Sequence, residues 1–125
     1  MEKKDFVFSN TTNFQKEGCF VAILPRGIQN QKELLQAHYE YFNFPGWFGF
    51  NWNALNDNLC GLEWIQERKI FLVHKDLPKL NDKEIFDYLD ILFDVMNFWE
   101  KNGLHSFDVI FPLSAEVKID QLFPR

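Results

Sequence analysis

The stretch Phe44-Pro45-Gly46-Trp47-Phe48-Gly49-Phe50-Asn51-Trp52-Asn53-Ala54-Leu55-Asn56-Asp57-Asn58-Leu59 decides how this chain is read. In its first half Pro45, Gly46 and Gly49 forbid a regular element, so an irregular loop crowded with aromatics is expected. From Asn51 onward the pattern becomes helical, with Asn51 as the cap and Gly61 as the C-terminal stop. At about 100° per residue, Trp52, Leu55 and Leu59 share one side, while Asn53, Asn56, Asp57 and Cys60 fall on the other. The first side is assigned to the core and the second to a presented face.

On the N-terminal side of this stretch, Asn30 caps an expected helix over about 31–42, with Leu34, Leu35, His38, Tyr39 and Phe42 at helical spacing until Pro45. Before it, Cys19 to Leu24 is a continuous apolar run stopped by Pro25, which suits a strand covered on both faces. Phe6-Val7-Phe8 is a short strand candidate whose place in a sheet is left open. On the C-terminal side, Lys69 to His74 is a second buried-type strand and Glu84 to Asn102 a long helix ended by Gly103. Phe107 to Phe111 is a third central strand, and the tail to Arg125 shows no clear period. Strands alternating with helices indicate an α/β fold with a small three-stranded parallel sheet, about four helices and an optional N-terminal edge strand.

A chain of 125 residues suits one domain, 1–125, which buries roughly two-thirds of the surface exposed when unfolded. Cys19 and Cys60 have no metal-ligand or redox spacing, so both are expected to be free thiols in a reducing, cytoplasmic setting, without metal or cofactor. No apolar run reaches signal or membrane-span character. The net charge of -5 argues against direct nucleic-acid binding and favours a basic partner. Charge position says more than the total. Between Lys32 and Arg68, and again from Glu84 to Glu100, no Lys or Arg occurs; Glu84, Asp87, Asp90 and Asp94 share one side of the long helix with Ile91 and Phe98. Fifteen Phe outnumber fourteen Leu, and eight aromatics fall within the fourteen positions 39–52. Packing and stapling account for about half of these. Trp47, between Gly46 and Gly49, is the candidate anchor for a partner.

Catalysis is weakly supported. His74 closes one strand and His105 precedes another, which places them on opposite rims of the sheet; with His38 on the first helix, no two histidines are expected to converge, and surface or helix-flank positions are expected for them. No GxGxxG, P-loop, HExxH or GxSxG pattern occurs. Cys19 reads as core, and Cys60 has no nearby base in sequence to activate it.

The run from Phe44 to Leu59 resembles the signature of the barstar family, intracellular inhibitors of ribonucleases: a Pro, paired aromatics, Gly, an Asn two residues on, then an apolar residue, an acid, Ala and Leu. The order of elements from Cys19 to Phe111 agrees with that family's parallel three-stranded sheet, leaving 1–18 and 113–125 as additions. The resemblance implies that the capped helix and the loop before it plug a nuclease active site, acids standing where RNA phosphates would bind. By position, Trp47 stands in place of a partner-contacting tyrosine, and Gly49, Asn51 and Trp52 fall on interface loop positions. Asp57 falls on the acid that enters the phosphate site. Asn56, Cys60, Gly61 and Leu62 continue the contact edge. Two departures stand out: Asn53 occupies a position that is usually Asp, and Phe98 aligns with an acidic contact residue for which Asp94, one turn earlier, can substitute.

The expected function is therefore a non-enzymatic, monomeric inhibitor of a ribonuclease or nuclease toxin. The alternatives are an interaction module of the same fold with a non-nuclease partner, and an enzyme using His74 with His105.

Overall fold

A computed structural model describes residues 3–125. Four strands, β1 (Val7–Ser9), β2 (Phe20–Leu24), β3 (Lys69–His74) and β4 (Ser106–Pro112), form one all-parallel sheet in the order β1-β4-β3-β2. The helices are α1 (Gln31–Tyr41), α2 (Trp52–Leu59), α3 (Asp82–Asn102) and α4 (Glu116–Leu122), the last preceded by a 3-10 turn over Leu113–Ala115. The N-terminal segment thus does join the sheet, as a fourth strand on the β4 edge.

All helices bury their apolar stripes on one face of the sheet. Leu34, Leu55, Leu89 and Ile119 share a core with Ala22, Leu24, Ile70, Leu72, Phe107, Val109 and Phe111, the alternate residues of three strands. The other face meets the expectation of strands covered twice only in part. Val73 and Ile110 on it are buried, whereas Val21, Ile23, Phe71 and Asp108 point away from the helix-side core and are half-buried. The reason is topological. Right-handed crossovers carry the chain from β2 through β3 to β4 with helices on one face, and the return from β1 to β2 runs the opposite way across the sheet, so the same handedness puts it on the opposite face. That return is a short loop without a helix, and Phe14 in it packs against Phe71 with ring centroids 5.5 Å apart.

The tail is a second correction. Ala115, Ile119 and Phe123 are buried and recur at helical spacing, so residues 113–122 are helical rather than aperiodic. Phe6 meets Phe111, Phe93 and Phe123 at 5.6–6.1 Å between ring centroids. Arg125 pairs with Asp5 at 2.6 Å and Asp120 at 2.8 Å, joining the N-terminal segment to the C-terminal helix.

Candidate functional site

The aromatic loop divides its residues sharply. Phe44 and Phe48 are buried and stack edge-on at 5.1 Å, and Phe48 continues to Phe50 at 4.8 Å and Tyr39 at 5.9 Å. Trp47, the neighbour of Phe48, is 89% exposed. Phe50 has φ +51, a left-handed conformation that costs a bulky residue about 1–2 kcal/mol. It turns the chain so that Asn51 is extended and caps α2, the Ala54 N–H donating to Asn51 Oδ1 at 2.7 Å. A Cβ on Gly49 would lie 3.2 Å from the Asn51 amide nitrogen and 3.4 Å from the Trp47 ring, so glycine lets the indole and the cap close over the same spot.

Behind the loop, α2 is locked to α3. Trp99 Nε1–H donates to the carbonyl of Leu59 at 2.9 Å, satisfying one acceptor the helix end leaves open, and Trp52 lies 6.0 Å from Tyr88 of α3. On the outer face Asn53 and Asp57 are exposed, while Asn56, Cys60 and Gly61 are half-exposed. Among the described residues, the side chains of Asn53, Asn56 and Asp57 make no hydrogen bond or ion pair within the chain. Asn58, by contrast, turns back on its own helix and donates to the Ala54 carbonyl at 2.9 Å. Asp94 is exposed on α3, and Phe98 is 36% exposed and edge-on to Trp99.

Cys60 shows that these acids converge. Burial first, then the carboxylates of Asp57 and Asp94, push its thiol up to about 11, so it stays protonated at neutral pH and is no nucleophile. Asp90 is likewise raised, by partial burial and then by Asp94 and Asp87 beside it. The expected residues Trp47, Gly49, Asn51, Trp52, Asn53, Asn56, Asp57, Cys60, Gly61, Asp94 and Phe98 all carry some exposure around α2, its loop and the facing turns of α3. Leu62 does not fit the contact edge. Its side chain is fully buried, and its carbonyl takes a hydrogen bond from His105 Nε2 at 2.9 Å.

The histidines correct the sequence reading. All three are buried, and two converge: His38 Nε2 and His74 Nε2 lie 2.8 and 2.7 Å from the single Tyr88 hydroxyl. His74 Nδ1 lies 3.0 Å from the Ile110 carbonyl and must donate to it, which leaves its Nε2 as an acceptor. Tyr88 O–H therefore donates to His74 and accepts from the Nε2–H of His38. His38 Nδ1 is then a bare acceptor, and it has no partner. Burial, and then the neighbouring His74, hold His38 down to about 3; burial holds His74 down to about 4 against its bond to Ile110. Both rings are neutral. His105 sits at the other rim with separate partners, so His74 and His105 share no surface on which a substrate could lie. Among the described residues no group of three or more His, Cys, Asp or Glu is placed to hold a metal ion, and no helix is long and apolar enough to cross a membrane.

The fold is thus a parallel α/β sheet with its helices on one face, and it presents a short capped helix and an aromatic loop beside a long acidic helix. The chain belongs to the Barstar (barnase inhibitor) family, whose pattern matches residues 19–111. That family is one of inhibitor domains, not of catalysts, and the four-stranded sheet adds one edge strand to its expected three. No curated protein and no solved structure matches the chain.

Proposed function

We propose that the protein is a nuclease inhibitor that binds a ribonuclease or nuclease toxin one to one and occludes its basic active site. One observation supports this reading: an 89% exposed tryptophan adjoins a capped helix whose outward amides and carboxylate have no partner among the described residues. Asp57 is the phosphate mimic, with Asp94 beside it; Trp47 is the anchor, and Asn53 and Asn56 orient the partner's donors. Asn51 acts mainly through the cap, holding the loop against the helix. Cys19 and Cys60 are unpaired, which fits a monomer working in the reducing cytoplasm.

The test is isothermal titration against the basic nuclease encoded beside this protein or co-purifying with it. One-to-one nanomolar binding is expected, and Asp57→Ala should cost ~2–5 kcal/mol, mostly as faster dissociation. Unchanged affinity in that variant would sink the assignment. A second reading, an interaction module for a non-nuclease protein, draws on Asn53, which lacks the charge of an Asp, and on the exposed apolar ring of Phe98. Capture of a partner that has no nuclease activity would select it.

A further inference from the structure

Because the sheet is all parallel, its four strands end on one rim, and Asn10, Ser114, Lys75 and Arg26 follow closely on the ends of β1, β4, β3 and β2. Ser9 is level with Pro112 in the register, so β1 and β4 stop together. From there the chain leaves in opposite directions. After β1 it crosses the sheet face that carries no helix, and after β4 it enters α4, whose Ile119 lies in the helix-side core. Neighbouring strands with diverging exits leave a crevice outside their carboxyl ends, which is where open parallel sheets bind ligands. A cavity of about 290 Å³ occupies that crevice, small for a ligand site.

The polar walls of this cavity are rich in donors. Arg26 and Lys75 both line it, both are exposed, and neither has an ion-pair partner among the described residues. Thr11 lines it too and is only 6% exposed, yet its hydroxyl makes no hydrogen bond among the described residues. A buried hydroxyl normally finds a partner, so this one is open to a guest. Ser9 and Ser114 add a hydroxyl each from the exits of β1 and β4. The loops that carry these groups are held in place. Asn10 Oδ1 accepts the Thr12 N–H at 2.9 Å, and Asp76 Oδ2 accepts the Gly27 N–H at 3.0 Å, tying the loop of Arg26 to that of Lys75. Asp76 stands outside the lining, which contains no carboxylate. Two cations outweigh that one neighbouring acid, so the rim is locally positive on a chain of net charge -5.

We infer that this crevice binds the phosphate group of a small phosphate monoester. Such a group brings three acceptor oxygens and close to two negative charges at neutral pH, which matches a guanidinium, an ammonium and three hydroxyls. Arg26 can hold two of the oxygens with its planar fork, while Lys75 serves as a point charge. A carboxylate, with one charge and two oxygens, would leave part of this donor set unfilled. None of these residues belongs to the α2 face, so the site stands whether or not that face receives a nuclease.

The probe is glycerol 3-phosphate, titrated into the ¹⁵N-labelled full chain at constant ionic strength, with acetate as comparison. Saturable shift changes should centre on residues 9–12, 26–27, 75–76 and 113–115. The expected dissociation constant is on the order of 1 mM, with acetate bound about fivefold more weakly or worse. Arg26→Gln and Lys75→Gln should each weaken binding about tenfold, and Thr11→Val, which keeps the buried volume, about threefold. Lys69→Gln, which removes an exposed charge on the opposite rim, should change nothing. Shifts that do not saturate, acetate bound as well as the phosphate ester, or a response that survives Arg26→Gln combined with Lys75→Gln would overturn the site. Asp57→Ala should leave the response intact, so loss of nuclease binding and loss of this site are separate results.

Discussion

Two polar regions lie on either side of the Trp52–Tyr88 contact, and they satisfy their hydrogen bonds in opposite ways. Beneath it, His38, Tyr88 and His74 form a closed buried chain ending on a strand carbonyl, with one atom left over. Above it, Asn53, Asn56 and Asp57 have no partner among the described residues. The contrast separates polar groups that determine the fold from those available to another molecule. A buried network punishes the loss of any member, whereas the exposed face can change without cost to folding.

Acid should break the buried side most. Both histidines have folded values below the usual 6.5, so their contribution is complete above pH 6.5 and is lost as the pH falls towards about 4 and then 3. Urea midpoints should drop over that window by a free energy on the order of several kcal/mol. Asp90, with its raised value, works weakly the other way, since its protonation relieves repulsion from Asp94 and Asp87. A flat profile from pH 7 to 3 would mean that burial does not hold the two imidazoles neutral. Next in size, Tyr88→Phe leaves a donor and an acceptor unpaired and should cost about 2–4 kcal/mol of stability by chemical denaturation. Trp47→Ala sharpens the comparison from the other side. It should weaken partner binding by about 2 kcal/mol, measured by titration, with stability unchanged within ~0.5 kcal/mol. Asn51→Ala belongs to both regions and should show the smallest effect, about 1 kcal/mol of stability from the lost cap, read from the thermal midpoint together with a modest loss of binding.

Much of the fold was legible because its signals are local. Apolar runs bounded by Pro or Gly located β2, β3 and β4, and Asn caps located α1 and α2. The helical spacing that placed His38 with Leu34 and Leu35 already implied that it faces the core. Its meeting with His74 was hidden, because Tyr88 joins residues 14 and 50 positions away. Helix α4 did leave a signal, in the spacing of Ala115, Ile119 and Phe123, though it is short and follows a proline. At the candidate site, the exposure of Trp47 was readable from its flanking glycines. The burial of Leu62 was not, since it depends on φ +30 just after α2.

The edge strand also fixes an order of assembly. β1 pairs only with β4, and the segment before it is clasped to α3 across 93 residues of chain. Closing so long a loop is entropically costly and slow, so it is rewarded only once α3 and β4 exist. During synthesis, β2, α1, α2 and β3 emerge with their contacts already available, while β1 waits until α3 and β4 have been made. The outer wall of α3 that this segment forms through Lys4 and Asn97 is then the last part of the fold to take shape.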